Sequence, residues 1–408
     1  MFEQVDILRE TAGKGRSLLM CLDGSLNAPE LREFDGKAQC VYIDPPFMTG
    51  DRFARRRRFG TPGWRTGRPA PEYPAYDDQF ATREDYLTML GGLIRQARRL
   101  LKDTGVFCLH LDWRMSAHAR LLCDEIFGED LFINEVIWAY ESGGRARRSF
   151  SRKHDVILLY GRTKKYRFDL RKVPLDRAEH RRNHMRRAVD EEGRSYRAIK
   201  SGGKEYRYYD DEPVYPGDVW TDISHLQQKD PERTGFTTQK PLKLLERLLL
   251  PVTEPGDLVC DLCCGSGTTL AAAQTLGCRV LGVDISPEAL MVARSRLNPA
   301  DLTVSCPCTR EEAQLEGNYD PMTGFLLLTG FDATHPAFPR TERAMDVLES
   351  WSAGRLTPDG IRLEAFFGRS VNQPDLPMFC ILPEGRGDAC VSTVDAAGRR
   401  RTYVWRDE

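Results

Sequence analysis

Long apolar runs are missing from this 408-residue chain, and with them any stretch of the roughly 20 residues that a membrane-spanning helix needs. The first fifteen residues are charged and hold no hydrophobic signal core, so a cytoplasmic location and no membrane partner are expected. The 12 cysteines include no second pair at zinc spacing beyond Cys306-Pro307-Cys308 and Cys263-Cys264, so no metal is expected. Cys21, Cys40, Cys108 and Cys260 sit inside apolar runs and read as reduced core residues, not as a disulfide framework. Net charge is also nearly absent, at −1. That balance conceals an asymmetry: residues 144–210 carry 21 Lys and Arg against 9 Asp and Glu, which leaves about −13 on the remainder. A basic middle in an otherwise acidic chain suggests a polyanion-binding segment; a solvated, salt-bridged surface is the alternative.

What is present is an ordinary globular composition, 41% apolar and 29% charged, in a chain long enough for one large core or two ordinary ones. Short apolar runs alternate with helical periods. Strands are expected at 17–22, 39–43, 106–111, 132–139, 155–160, 257–261 and 279–283. Helices are expected at 27–34, 84–102 (stopped by Gly105), 114–127, 242–250, 270–276 and from Ser286-Pro287-Glu288 onward. This alternation predicts an α/β fold with a doubly wound, mostly parallel sheet. Between residues 162 and 215 the hydrophobic period is lost, and residues 214–226 are expected to rejoin the core. After Asn298 the signal weakens to strands at 325–328, 378–382, 356–368 and 390–405 and a helix at 341–350.

Two motifs carry chemistry. Val41-Tyr42-Ile43 runs into Asp44-Pro45-Pro46-Phe47. The prolines fix their own φ and donate no hydrogen bond, so the acid and its neighbouring carbonyls are held rigidly at the carboxyl end of a strand, where open α/β sheets bind ligands. A strand followed by a proline turn with an incidental acid is the bland reading. Residues 48–83 then interleave Arg55 to Arg58, Arg65 and Arg68 with Trp64, Tyr73 and Tyr76, which suits phosphate contacts and base stacking in a loop that closes over a substrate. The second motif, Asp261-Leu262-Cys263-Cys264-Gly265-Ser266-Gly267-Thr268-Thr269, is a strand-end acid, a glycine-rich turn and a helix start. A second strand ends about twenty residues on in Asp284, placed for two ribose hydroxyls. The loop lacks the third glycine of the dinucleotide fingerprint and the Lys-Ser or Lys-Thr of a phosphate loop. A nucleoside cofactor without pyrophosphate fits better than NAD or ATP, and S-adenosylmethionine is such a molecule.

Together these motifs resemble the β class of amino-group DNA methyltransferases. In that family the catalytic motif comes first, the recognition region second and the cofactor motif last. YIDPPFMTG is similar to the corresponding string of type III modification subunits; CDEIFGED and TTQKP before DLCCGSGTT are similar too. The likeness covers residues 17–160 and 232–298. It implies the S-adenosylmethionine-dependent methyltransferase fold, circularly permuted. It also implies roles. Asp44 would accept hydrogen bonds from the target amino group with help from the Pro45 carbonyl next to Pro46, and Phe47 would stack on a flipped base. Gly265 and Gly267 would seat the methionine part of the cofactor, with Cys263 and Thr268 in the same loop. Asp261 would lie near its amino group, Asp284 on its ribose and Asp23 near its adenine. Phe236, Thr238 and Lys240 would complete the pocket. Phe47 departs from the usual tyrosine, and the tail from about residue 300 is unmatched.

The expected organisation is a catalytic half at 1–140, a basic recognition insert at 141–231, a cofactor half at 232–300 and a C-terminal extension at 301–408. The expected activity is methylation of the exocyclic amino group of adenine in DNA. Cytosine, RNA and an inactive DNA-recognition subunit are the alternatives. The expected partner is DNA, and a homodimer and a restriction subunit are left open.

Overall fold

Six consecutive buried residues, Ala38–Ile43, form the strand nearest the middle of the molecule. A run without polar alternation suits a strand covered on both faces. The structure, a computed structural model, describes residues 1–14, 16–56, 59–60, 72–141, 146–175, 186–227, 230–236, 238–334, 338, 344–370 and 373–406. In chain order, β1 (Phe2–Val5), β2 (Arg9–Ala12), β3 (Ser17–Cys21) and β4 (Ala38–Ile43) precede a hairpin of β5 (Arg52–Arg56) and β6 (Glu72–Asp77). Next come α1 (Arg83–Leu100), β7 (Leu101–Leu111), α2 (Ser116–Phe127), β8 (Phe132–Ala139) and β9 (His154–Gly161). Then follow β10 (Arg186–Val189), β11 (Ser195–Ser201), β12 (Lys204–Tyr209), β13 (Val219–Trp220), α3 (Leu242–Leu249), β14 (Leu258–Asp261), α4 (Thr268–Thr275), β15 (Arg279–Asp284), α5 (Pro287–Arg296) and β16 (Leu302–Ser305).

Six of these strands lie side by side and parallel in the order β16, β3, β15, β14, β4, β7. β9 runs antiparallel to both β7 and β8, and β13 pairs with β8 in parallel. Helices α1 and α2 cover one face through residues such as Leu90, Ile94 and Cys123. Helices α3, α4 and α5 cover the other through Leu248, Leu270 and Leu290. The doubly wound, mostly parallel sheet read from the alternation is therefore present. α1 starts at a capping box in which Thr82 and Asp85 serve each other's backbone N–H, a feature that contributes about 1 kcal/mol. The helix ends at Leu100, not at Lys102, and Gly105 is no stop: Leu101 already pairs with Ala38 as the start of β7. The short helix expected at 27–34 is a 3₁₀ helix over Pro29–Phe34 around the buried Leu31.

The tail comprises β17 (Gln314–Tyr319), β18 (Phe325–Asp332), β19 (Leu348–Thr357), β20 (Gly360–Gly368), β21 (Phe379–Ile381), β22 (Ala389–Asp395) and β23 (Arg400–Trp405). The helix expected at 341–350 is absent from the described part of that stretch: a 3₁₀ turn at Ala344–Val347 leads into β19. The reason is burial, since the first seven residues of β19 are all buried and the strand pairs with β20 on one side and β22 on the other, whereas a surface helix would leave one side in water. The tail is not an appendage. β2 pairs antiparallel with β16 on one edge and parallel with β20 on the other, and β1 pairs with β23, so one 15-stranded sheet runs through both parts. The chain's first twelve residues are thus bound to strands of the tail. β17, β18 and β21 form a separate sheet that closes a second core around Trp351, Phe331 and Leu326. A buried cluster joins the two parts: Glu10 on β2 takes Arg294 of α5 at 2.9 Å and Arg400 of β23 at 2.6 Å.

Candidate active site

Four neighbouring parallel strands end side by side, and each of these ends carries an acid. Asp23 follows β3, Asp284 ends β15, Asp261 ends β14 and Asp44 follows β4, in that spatial order. Strand order alone thus brings together acids that are hundreds of residues apart in the chain. A cavity of about 880 Å³ opens above them. Of the fourteen residues anticipated from the sequence, thirteen line it: Asp23, Asp44, Pro45, Pro46, Phe47, Phe236, Thr238, Lys240, Asp261, Cys263, Gly265, Thr268 and Asp284. Gly267 stands one step back. It is left-handed at φ +76°, and a Cβ there would meet the Cβ of Ala293 on α5 at 2.8 Å. Gly265 is left-handed at φ +47° with open space beside it, so the backbone there is bare to whatever fills the cavity.

Each acid is held differently. Asp284 accepts from the Gly265 N–H at 2.8 Å and the Ser286 N–H at 2.9 Å, which ties the glycine loop to the start of α5; burial raises its pKa. Asp261 is 2% exposed and accepts from the Cys263 N–H at 3.1 Å. Burial pushes its pKa up to about 7, the neighbouring Asp44 and Asp284 add to the rise, and the Thr269 hydroxyl opposes it. Asp23 accepts from the N–H and hydroxyl of Ser25 at 2.9 and 2.6 Å and so shapes its own turn. Thr268 accepts from Arg296 at 2.8 Å, and Phe236 packs on Ala289 and Val292 of α5. The thiol of Cys263 is driven well above its usual pKa by burial and then by the surrounding acids.

Asp44 has a partner that the spacing did not foretell. Lys240, anticipated as a cofactor residue, places its Nζ 3.0 and 2.8 Å from the two carboxylate oxygens and 4.9 Å from the centre of the Phe47 ring. Phe47 in turn stacks on His110, with centroids 6.2 Å apart and planes 27° apart. His110 belongs to a buried network: its Nδ1 meets the Tyr42 hydroxyl at 2.8 Å, its Nε2 meets Asp155 at 3.0 Å, and Tyr140 donates to Asp155 at 3.0 Å. Burial alone would raise the Asp155 pKa, but the His110 hydrogen bond and nearby charge, Lys240 included, hold it below the usual carboxylate value. Sequence reading passed over this network because its members lie on four strands or strand ends with no common spacing.

Asp78 was missed as well. It is 1% exposed, and its carboxylate accepts from the backbone N–H of Phe47, Met48 and Thr49 at 3.2, 2.8 and 3.0 Å and from the Thr49 hydroxyl at 2.7 Å. Met48, the one described non-glycine residue with positive φ, at +57°, is held inside that grip. The stretch expected to be a loop closing over a substrate is in its described part the β5–β6 hairpin, with its foot clamped by Asp78. The side chains of Arg55 to Arg58, Tyr73 and Tyr76, and all of Trp64, Arg65 and Arg68, lie outside the described residues. At the cavity mouth, Arg152 stacks 3.7 Å from the Trp113 ring. In the basic insert, β10, β11 and β12 make a small antiparallel sheet with Tyr206, Tyr208 and Ile199 exposed, so regular structure stands where the hydrophobic period was lost. Val219–Trp220 rejoins the main sheet as expected.

Comparison with known proteins adds a family. A family model described as "DNA methylase" matches residues 38–295, and one described as "Methyltransferase domain" matches residues 259–344. Type II methyltransferase M.EcaI of Enterobacter cloacae is 26% identical over 319 residues, 67% of either chain. Type II methyltransferase M.BglII of Bacillus subtilis is 27% identical over 223 residues, 52% of this chain and 56% of the relative. DNA adenine methyltransferase YhdJ of Escherichia coli K12 is 27% identical over 223 residues, 54% of this chain and 70% of the relative. For M.BglII the matched stretch is thus under two thirds of the relative's own length.

Proposed function

The chain belongs to the DNA methylase family, and from that premise we propose that it methylates the exocyclic amino group of adenine in DNA with S-adenosylmethionine as donor. The observation that carries the reading is the single cavity in which Asp44 and Phe47 face Asp261, Asp284 and the bare backbone of Gly265. Adenine is favoured by the Asp-Pro-Pro motif and by the likeness to an enzyme named as a DNA adenine methyltransferase.

The residues fit the donor. Asp261 is a buried acid suited to an ammonium group, Asp284 is suited to ribose hydroxyls, and the open side of Gly265 admits a ligand against the main chain. When bound, S-adenosylmethionine supplies an electrophilic methyl on sulfonium. The rest falls to the protein. An exocyclic amine is a poor nucleophile because its lone pair is delocalised into the ring. Asp44, with the Pro45 carbonyl, accepts the amine hydrogens, favours pyramidal nitrogen and frees the lone pair. Phe47 holds the flipped base by its face, which a phenyl ring does without the usual hydroxyl. Positioning and electrostatics supply most of the rate.

In chain order the catalytic motif precedes the basic insert, which precedes the cofactor loop. That order and the YIDPPFMTG string support assignment to the β class and a likeness to type III modification subunits. Residues 1–140 and 232–300 are the two halves of the catalytic unit, 141–231 the target recognition region and 301–408 an extension.

The test is to incubate the protein with labelled S-adenosylmethionine and DNA of mixed sequence and to identify the modified nucleoside. N6-methyladenine is expected. Label on cytosine would move the substrate to that base, and label on RNA alone or on nothing would sink the reading. Asp44→Ala should abolish transfer while cofactor binding persists.

A further inference from the structure

Lys240 stands where a substrate amine is expected. Its ammonium nitrogen points both ways at once, with Asp44 at 3.0 and 2.8 Å and the Phe47 ring centre at 4.9 Å. These are the same acceptor and the same aromatic ring that the proposed reaction gives to a flipped base. Among the described residues, no other group donates to Asp44, and Lys240 makes no other hydrogen bond. The pair is well shielded, with the lysine side chain 11% exposed and the acid 20%. Both carboxylate oxygens of Asp44 already hold the ammonium, so an arriving base amine meets the lysine at its acceptor.

We propose that Lys240 is an internal surrogate for the target amine: it occupies the acceptor site of the free enzyme and is displaced by the incoming base. This rests on the proposed function, because it assumes that Asp44 and Phe47 receive the base. It departs from the cofactor role that the TTQKP segment suggested for this lysine.

Two features support displacement over a permanent strut. The lysine has somewhere to go: Asp155 lines the same cavity, and its carboxylate already feels the Lys240 charge. The lysine also does a task that someone must do in the empty enzyme. Arg114, Arg152 and Arg233 line the cavity but are engaged elsewhere, with Asp112, the Trp113 ring and the Gln227 and Leu226 carbonyls. Other ionisable groups around Asp44 include Tyr42 on its own strand, Tyr86 on α1, Asp112 after β7, Tyr140 after β8, Asp155 on β9, and Asp261 and Cys263 after β14. Three of these are carboxyl groups. Without a cation, an ionised Asp44 would sit among acids in a shielded site. The ammonium neutralises it and keeps its oxygens aimed at a nitrogen donor. A base that arrives with cofactor brings its own N–H donors, and the lysine becomes dispensable at that moment.

The experiment uses the 408-residue chain with mixed-sequence DNA and compares wild type with Lys240→Met and Lys240→Arg. Methionine keeps an unbranched chain without the charge, and thermal melting checks that both variants fold. Methyl transfer is measured as kcat and KM for DNA across pH 5.5–9 (an assay range of roughly that span), and S-adenosylmethionine binding by calorimetry. In Lys240→Met, KM for DNA on the alkaline plateau should fall by about tenfold, a change of the size expected for one shielded ion pair no longer competing with the base. Cofactor affinity should stay within about twofold, less than one lost hydrogen bond would cost. Lys240→Arg, which keeps a cation against Asp44, should raise KM for DNA. If Lys240→Met weakened cofactor binding by tenfold and left KM for DNA in place, the lysine would be a cofactor residue and the inference would fall. A uniform loss of kcat/KM at every pH would overturn it too. The underlying reading is judged separately by Asp44→Ala: an active Asp44→Ala removes both, whereas an inactive Asp44→Ala beside an unremarkable Lys240→Met removes only the surrogate.

Discussion

At the scale of single residues, Asp261 is the group whose charge state depends most directly on its surroundings. Burial leads, and Asp44 and Asp284 add to it, so that its pKa rises to about 7. A raised carboxyl pKa means that the folded protein holds a proton which the unfolded chain has already released. Its effect on stability therefore favours the folded state below about pH 4 and is lost as pH climbs toward 7. Cofactor binding should respond in the opposite sense. If Asp261 faces the donor's amino group, ionising it strengthens that contact, so S-adenosylmethionine affinity should rise between pH 5 and 7, by up to about tenfold per unit. That window lies below the roughly 7.7–8.0 at which an α-amino group itself loses charge. Calorimetric titration across the window checks this, and Asp261→Asn should flatten the curve. A wild-type curve that is already flat would separate Asp261 from the amino group.

At the scale of elements, the decisive connection is between the end of β4 and the foot of the β5–β6 hairpin. Two prolines stiffen the exit from the strand, but they do not choose where the chain goes next. Asp78 chooses, by accepting three backbone N–H groups and one hydroxyl from Phe47 to Thr49. A buried carboxylate satisfied in this way is strongly bound, and removing it takes the partner from four donors, three of them backbone N–H groups. Asp78→Ala should therefore release Met48 from its positive φ, loosen the Phe47 ring and lower kcat by about 10²-fold, the scale set by misplacing a reacting partner by 1 Å. Cofactor affinity should change little, because the cofactor acids hang on β14 and β15. Parallel measurement of kcat and of S-adenosylmethionine affinity separates the two effects. The same scale shows where local pattern misleads. Residues 341–350 have helical spacing over a short stretch, yet β19 begins at Leu348, because pairing on both sides with β20 and β22 outweighs a weak local preference.

At the scale of the whole molecule, the tail and the catalytic unit share one sheet and one buried charge cluster. Glu10 is wholly buried. Burial would raise its pKa, but Arg294 and Arg400 overcome that and hold it down at about 2. The sign follows: the stability it contributes is complete above the unfolded value of 4.5 and is lost as pH falls from there toward 2. Glu10→Gln leaves two buried guanidinium groups without their counter-charge, and breaking such a cluster costs about 3–5 kcal/mol. Urea denaturation at neutral pH should show that loss, and the variant should lose less further stability than wild type between pH 4.5 and 2. A change under 1 kcal/mol, the scale of an exposed pair, would mean that the tail is not locked to the catalytic unit through this residue.

The two chemical motifs could be read from the sequence alone, because each is local: prolines after an acid, glycines before a helix, a strand run on either side. Together with the alternation of strands and helices and the family resemblance, they led to the layered α/β sheet, thirteen of the residues around the cavity and the expectation of a methyl donor. Lys240 on Asp44, Asp78 under Met48 and the Tyr42–His110–Asp155 network came only from the tertiary structure. So did the joining of β1 and β2 to the tail, whose pairings span up to about four hundred residues. The physical reason is the same in each case. A local motif states its own backbone needs within a few residues. A buried charge or hydrogen bond is satisfied by whichever group the strand order delivers, and no spacing in the chain records that delivery.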